Sequence, residues 1–302
     1  MQPGGLVAFA MLFLFAGARK AWARAHMNRV RRGRYSTMPP MNEFDESIAL
    51  TAAGPHAWSG RADPRREAST GMFGGWTAAM LLRAVLADAP DQGSPVSLSV
   101  HFVSALLPGS AFAIGTRPVG ATRALATWQA ELVAEGAPGP AAVATVVLAR
   151  RRESYGFTEA VMPEAPAPDS LPEFHPPGTF GERSLVRPVY GFPPFNRPDA
   201  RTVFWVRETS GRAVDALQLA YLADNYPPRN WSRASSFGPY STIALSVYVL
   251  GTDAELAAVG DDYVLLEATA SRAESSTVAA QARIWSRNGV LLATTEQLGW
   301  FR

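Results

Sequence analysis

The chain has 302 residues, of which 47% are hydrophobic and 10% aromatic, so it is long enough to fill two packed cores of ordinary size. It contains no cysteine, which excludes disulfide bonds, thiol catalysis and cysteine-based metal sites. The formal net charge is +2, and the four histidines stand at no spacing typical of a zinc or iron site.

The positive charge is concentrated in the first 41 residues, which hold seven basic side chains and no acidic one. The other 21 basic and 26 acidic residues give residues 42–302 a net charge of −5. The basic residues therefore belong to a tail rather than to one face of a folded body, and the sequence predicts no nucleic-acid partner.

The same tail contains an apolar run of 13 residues, Leu6–Ala18. As a helix it would be about 20 Å long, against about 30 Å for a hydrocarbon core, so we expect no stable membrane insertion of the folded body. Residues 1–41 are predicted to lie outside the fold. Either Met38 or Met41 is the true start and the protein is cytoplasmic, or the segment is a signal or anchor and the protein is exported or membrane-anchored.

A first set of elements follows between residues 71 and 150. Gly71–Ala87 is apolar on nearly all faces and predicts a buried helix, with Pro90 just past its end. Val96–Val103 alternates between apolar and polar residues, which is the period of a strand. Three more strands are predicted at Ala111–Val119, Ala124–Glu135 and Ala141–Arg150.

The pattern returns after a proline-rich stretch. Tyr155–Ala200 has no sustained period and predicts an inter-domain crossover. A second helix is predicted at Val214–Asn225, and Asn288-Gly289 is a strong signal for a hairpin turn. The second set of strands is predicted at Thr202–Glu208, Thr242–Leu250, Asp262–Ser271, Thr277–Ser286 and Val290–Leu298.

The two sets are an imperfect repeat of one unit. LADAP at residues 86–90 returns as LADNYPP at residues 222–228, and LSV at residues 98–100 returns at residues 245–247. Equivalent points are 136, 147 and 149 residues apart and keep their order. By these offsets Asp224 corresponds to Asp88, Thr242 to Pro95 and Gln297 to Leu148. Such asymmetry predicts one active site for the duplicated pair.

One buried helix followed by antiparallel strands, twice over, predicts an α+β fold in which two antiparallel sheets each wrap round a central helix. We expect an N-terminal unit over residues 42–154, a crossover over residues 155–200, and a C-terminal unit over residues 201–302 that carries the catalytic residues.

Five segments carry a family resemblance: FGGWTAAMLL, LSVHFVSALLPG, VDALQLAYLADNYPP, STIALSVYV and LLATTEQLGWFR. In this order they resemble the thioesterase II type of acyl-CoA thioesterase, a double hotdog protein, over about residues 42–302. In that family an Asp at the end of the second helix, a Thr on the next strand and a Gln on the last strand orient the hydrolytic water. The resemblance implies that these roles belong to Asp224, Thr242 and Gln297, the three residues that the internal comparison singles out.

The same three residue types suit thioester hydrolysis on chemical grounds. The reaction needs a water that is made nucleophilic and donors for the developing oxyanion. A carboxylate accepts the proton of the water, while a hydroxyl and an amide fix its direction without adding charge. Gly74 and Gly75 begin a helix, where free N–H groups suit substrate binding through an oxyanion or a phosphate, although glycine also serves close helix packing.

Each candidate also has a structural interpretation. Asp224 stands just before a proline turn, and Asp usually caps or turns a helix end there. Thr242 is an ordinary strand residue, and Gln297 is in a position to face solvent. His101 is interpreted as a structural histidine on the polar face of its strand. Three tryptophans are predicted to be core residues: Trp76, Trp128 and Trp285.

The expected function is hydrolysis of an acyl-CoA to free acid and CoA in fatty acid or related lipid metabolism, with no metal and no other cofactor. One alternative is a hotdog protein that binds acyl thioesters without turnover. The other is a hydratase or dehydratase, whose Asp-x-Asn-Pro signature is similar to residues 224–227 but is followed by a His that this chain lacks. The expected partner is the acyl-CoA substrate, and a homo-oligomer is possible.

Overall fold

The computed structural model describes residues 42–302, so the interpretations of residues 1–41 lie outside the described residues. The α-helices are α1 (Glu43–Ser47), α2 (Gly74–Asp88), α3 (Ala216–Leu222) and α4 (Asp253–Val259), and short 3-10 helices lie at Pro64–Arg66, Pro168–Ser170, Thr179–Arg183 and Arg229–Arg233. The strands of the first half are β1 (Thr51–Gly54), β2 (Ala57–Arg61), β3 (Glu67–Ala68), β4 (Gly71–Met72), β5 (Ser94–Phe102), β6 (Ala111–Ala121), β7 (Leu125–Ala134) and β8 (Ala142–Ala149). The strands after the first half are β9 (Ser184–Tyr190), β10 (Thr202–Glu208), β11 (Tyr240–Val249), β12 (Val264–Glu274), β13 (Thr277–Ser286) and β14 (Leu291–Phe301).

Both predicted central helices are present. Helix α2 buries ten of its residues, and its Trp76 indole donates to the backbone oxygen of Ser47 at 2.9 Å. Helix α3 is shorter than predicted at both ends. Asp215 caps its first turn by accepting from the N–H groups of Leu217 and Gln218, and the segment after Leu222 turns toward two prolines. The two helices pack against each other, which brings the ends of the repeats together.

The expectation of two separate sheets is wrong, because the strands of both halves form one sheet of twelve. Its order is β1-β2-β6-β7-β8-β5-β11-β14-β13-β12-β10-β9, and a second, small sheet contains only β3 and β4. Strands β5 and β11 pair antiparallel over five residues and join the halves. Their pairing satisfies backbone groups that would be exposed if each half ended in a free edge.

The crossover contains a strand that the sequence did not predict. Strand β9 pairs with β10 at the edge of the sheet, where the missing N–H of Pro188 disrupts no interior ladder. Further upstream, the crossover packs its apolar side chains on the outer face of the second half. There Ala160, Met162, Ala165 and Leu171 contact a cluster of Val203, Trp205, Tyr263, Leu265 and Trp285.

The core predictions hold for the three tryptophans, since Trp76, Trp128 and Trp285 are all buried. His101 is exposed on β5, consistent with a place on the polar face of that strand. Within residues 42–302, no helix has the length and apolar character needed to cross a membrane.

Candidate active site

A cavity of about 430 Å³ lies where the two halves meet. It extends from the first turn of α2 to the end of β5, the start of β11 and Gln297 in β14, and the crossover forms part of its wall. Most of the lining is apolar, with nine aromatic side chains: Phe73, Phe102, Phe174, Phe180, Phe192, Tyr226, Trp231, Phe237 and Tyr240. Asp224, Thr242 and Gln297 all line the same cavity, so the structure brings the three predicted side chains to one place.

Asp224 follows α3 and is 8% exposed. Its Oδ1 accepts from Gln297 Nε2 at 2.5 Å, and the backbone N–H of Gly75 also donates to the carboxylate. These bonds lead to β14 and to α2, whereas the end of α3 is turned by Asn225, whose N–H donates to the Leu222 oxygen at 3.0 Å. Asp224 therefore does more than turn its own helix.

Burial governs the acidity of Asp224. Removal from water raises the pKa of this carboxyl to about 7, and the hydrogen bonds from Gln297 and from the Gly75 N–H oppose that rise. The first turn of α2 adds the positive end of a helix dipole, which favours the ionised form. The result is a buried carboxyl group that can exchange a proton near neutral pH.

Gly74 and Gly75 allow this close approach. A Cβ on Gly74 would lie 2.6 Å from Asp224 Oδ2, and a Cβ on Gly75 would overlap the backbone oxygen of Tyr221. Close packing therefore accounts for both glycines. Gly74 also lines the cavity, and its N–H belongs to the first turn of α2, where intrahelical carbonyls are out of reach.

Gln297 lies in β14 with its side chain turned inward, and it is 5% exposed. The solvent-facing interpretation of this residue is therefore wrong. Thr242 lies near the start of β11, half-buried, just before an irregularity in the pairing with β14. Its hydroxyl lies close enough to that of Tyr240 to oppose the rise that burial causes in the Tyr240 pKa, and it lines the same cavity as Asp224.

The strand register corrects one equivalence between the halves. Leu98 pairs with Val146 in β8, and its counterpart Leu245 pairs with Gln297 in β14. Gln297 therefore corresponds to Val146 and not to Leu148. The shift is two residues, so the same face of the strand is compared and the first half still holds an apolar residue there.

The equivalence of Thr242 with Pro95 is confirmed, because each lies just before the irregularity in its own strand. Asp88 is tied into the first half, where it accepts from Trp58 Nε1 at 3.0 Å and from Thr116 Oγ1. His56 lies 3.4 Å from the same carboxylate. Asp88 is thus bonded within its own half and does not line this cavity.

Tyr240 is a further residue of this site that the sequence pattern did not predict. Its hydroxyl donates to Gln297 Oε1 at 2.8 Å, and burial raises its pKa above the usual range, with a further rise from the charge of Asp224. The signal that could have identified it is the presence of Tyr240 and Gly299 on the neighbouring strands β11 and β14, and the pairing of these strands is known only from the structure. Gly299 in β14 leaves the space that the ring of Tyr240 occupies.

Comparison with known protein families matches most of the described chain to one family. Residues 62–149 match the acyl-CoA thioesterase N-terminal domain, and residues 160–301 match the acyl-CoA thioesterase C-terminal domain. No curated protein matches the chain.

Solved structures show the same fold. A hotdog-fold protein from Alicyclobacillus acidocaldarius is 30% identical, with a TM-score of 0.82 over 87% of this chain and 99% of that one. A candidate thioesterase II from Thermobifida fusca is 23% identical, with a TM-score of 0.76 over 88% and 100% of the two chains. An acyl-CoA thioesterase II from Mycobacterium marinum is 17% identical, with a TM-score of 0.69 over 86% and 98%. The hotdog fold expected from the sequence is therefore confirmed.

Proposed function

This chain belongs to the acyl-CoA thioesterase family, and from that premise we propose that it hydrolyses acyl-CoA to free acid and CoA with a water activated by Asp224. The observation that carries this proposal is a buried carboxyl group, with a pKa near 7, in a cavity whose lining is mostly apolar. A base poised near the working pH combines a useful population of the ionised form with the ability to take up a proton.

The first step forms the new C–O bond. Asp224 accepts a proton from the water, and the oxygen attacks the carbonyl carbon of the thioester. Charge then develops on the carbonyl oxygen. The Gly74 N–H, at the positive end of α2, is the group that supports stabilisation of this oxyanion.

The second step breaks the C–S bond. The tetrahedral intermediate collapses to the acid and expels the CoA thiolate, and the carboxylic acid of Asp224 returns its proton to the sulfur. The base is thereby regenerated, and the other proton of the water stays with the acid product. One group serves as base and then as acid, which suits a pKa near 7.

Gln297 and Thr242 have supporting roles in this proposal. The Gln297 amide holds one oxygen of Asp224, which leaves the other to face the water. The Thr242 hydroxyl, which lines the cavity, is suited to fix the direction of the water. Both groups are neutral and do not titrate near neutral pH, so the carboxylate of Asp224 remains the group that accepts the proton.

The aromatic walls support an acyl chain as the buried part of the substrate. Phe73 and Phe180 stack with ring centroids 4.2 Å apart, and Phe102 approaches the place where Gly74 meets Asp224. Phe237 is 54% exposed and lies at the rim of the same cavity. Apolar burial favours the acyl chain inside, with the charged CoA moiety toward solvent.

The test is an assay of the purified full chain with acyl-CoAs of graded length, following free thiol with a colorimetric reagent. Because the chain has no cysteine, the reagent reports only released CoA. We expect thiol release in proportion to acid formed. Binding of acyl-CoA without thiol release, or addition of water to an enoyl-CoA with the thioester intact, would contradict the proposal.

A further inference from the structure

Tyr240 connects the side chains that the proposed reaction uses. Its hydroxyl donates to Gln297 Oε1 at 2.8 Å, and Gln297 Nε2 donates to Asp224 Oδ1 at 2.5 Å. The side chain of Thr242 is close enough to the Tyr240 hydroxyl to oppose the rise that burial causes in its pKa. A continuous chain of hydrogen bonds therefore runs from Tyr240 through Gln297 to Asp224, with Thr242 beside its outer end.

We propose that Tyr240 is a positioning residue that fixes the Gln297 amide with its NH₂ group toward Asp224. This inference rests on the proposed function and assigns a further residue to the same site. An amide side chain accepts at its oxygen and donates at its nitrogen, whereas a carboxylate only accepts. A donor that holds the amide oxygen therefore decides which end of Gln297 meets the carboxylate.

The position of the Tyr240 ring depends on Gly299. Tyr240 pairs with Phe301 across the β11–β14 ladder, and Gly299 pairs with Thr242. A Cβ on Gly299 would overlap the hydroxyl oxygen and two ring carbons of Tyr240. The ring thus lies over the one residue of β14 that has no side chain, and from there its hydroxyl reaches Gln297.

The Tyr240 hydroxyl is suited to act as a permanent donor. Burial, together with the charge of Asp224, raises the pKa of Tyr240, so the phenol keeps its proton throughout the working range. Without this donor the Gln297 amide is free to turn its oxygen toward Asp224. That orientation favours the protonated carboxyl, and the pKa of Asp224 would rise.

The surroundings of Asp224 contain few other groups that titrate. Tyr226 and Arg229 follow it on the same segment, and Tyr240 approaches from β11. The elements packed against it contribute groups that do not titrate: Gly75 of α2, Phe102 of β5 and Gln297 of β14. A change in the Asp224 pKa on removal of the Tyr240 hydroxyl can therefore be attributed to the altered hydrogen bonding of Gln297.

The kinetic test compares Tyr240→Phe with Tyr248→Phe in the full chain. Tyr248 lies on the same strand but points outward and is 39% exposed, so its substitution is the matched control. For Tyr240→Phe we expect kcat/KM to fall roughly tenfold, the scale of one buried hydrogen bond. We also expect the acid limb of the kcat/KM profile to move up by about one pH unit, because the base ionises later. The control should match the wild type in both.

A second measurement is independent of turnover. In protein labelled with ¹³C at the aspartate carboxyl carbons, the Asp224 resonance, assigned by its loss in Asp224→Asn, should titrate at higher pH in Tyr240→Phe. Gly299→Ala, which displaces the ring while keeping the hydroxyl, should cause the same shift. A lower unfolding temperature with an unchanged Asp224 titration would overturn the inference and leave Tyr240 as a packing residue.

The two proposals fail in different ways. If the wild type released no thiol from any acyl-CoA, the proposed function would fail, while the carboxyl titration would still decide the role of Tyr240. If the wild type hydrolysed acyl-CoA and Tyr240→Phe kept both its rate and its pH profile, only the inference about Tyr240 would fail.

Discussion

Ser99 and Ser246 are equivalent residues of the two halves, and they face each other across β5 and β11 with their hydroxyl oxygens 3.0 Å apart. On either side of them, Leu98 pairs with Val247 and Val100 pairs with Leu245. Each half thus offers the same LSV segment to the other, as in a two-fold symmetric interface. The duplicated chain contains within itself the pairing that two separate copies would form.

This pairing explains why the site needs both halves. The first half supplies the N-terminal turn of α2, and the second half supplies Asp224, Thr242 and Gln297. The corresponding Asp88 is bonded to Trp58 and Thr116 of its own half. The two-fold symmetry of the backbone therefore does not extend to the side chains, because the two equivalent aspartates have different partners.

The raised pKa of Asp224 predicts a pH-dependent stability. A carboxyl group whose pKa rises on folding stabilises the fold fully below its unfolded pKa, and that contribution is lost as the pH rises through the folded value. For a rise from 3.8 to about 7 the loss is roughly 4 kcal/mol. Between pH 4 and pH 8 we therefore expect the free energy of unfolding of the wild type to fall relative to that of Asp224→Asn. Denaturant unfolding of both proteins across this range measures it, and parallel curves would contradict it.

The Thr242 hydroxyl is predicted to matter more than the volume of its side chain. Thr242→Val keeps the shape and removes the hydroxyl that lines the cavity, and we expect kcat to fall roughly tenfold. Thr242→Ser keeps the hydroxyl and should retain most of the activity. Initial rates at saturating acyl-CoA distinguish the two, and equal losses in both variants would assign Thr242 to packing.

Substitution of Gly74 by alanine is predicted to lower activity because the added methyl group would displace the Asp224 carboxylate. In Gly74→Ala the new Cβ would lie 2.6 Å from Asp224 Oδ2, so the carboxylate must move. A displacement of this size should lower kcat by about a hundredfold, as misplaced catalytic groups do. Gly120→Ala is the control, because that position in β6 has open space around it. Activity of Gly74→Ala equal to that of the control would show that the approach of α2 to Asp224 is not needed.

Much of the second half could be predicted because its pattern is local. The alternation over Thr277–Ser286 and the turn at Asn288-Gly289 each carry a signal within a few residues, and both agree with the structure. Strand β9 carried no such signal. Its proline indicated an irregular segment, and only the sheet edge makes the proline acceptable.

The site itself was predicted in part. Comparison of the repeats singled out Thr242 and Gln297 because each differs in chemistry from its counterpart, and the family resemblance joined them to Asp224, whose counterpart is also an Asp. It misaligned Gln297 by two residues, since the repeated Ala-Thr pair in β8 and β14 is not at equivalent register. Tyr240 was not predicted because its position depends on Gly299 in the neighbouring strand. A contact between residues so far apart in the chain leaves no periodic pattern in the local sequence.

The most direct test of the account uses the two equivalent aspartates of the same chain. In Asp224→Asn and Asp88→Asn an amide replaces a carboxylate of the same shape, and circular dichroism confirms that both variants are folded. The measurement is kcat/KM for acyl-CoA hydrolysis by thiol release. We predict a loss of about a hundred- to a thousandfold for Asp224→Asn, by analogy with other preorganised transition-state groups, and near wild-type hydrolysis for Asp88→Asn. Hydrolysis that survives unchanged in Asp224→Asn, or falls equally in both variants, would contradict the assignment of water activation to Asp224.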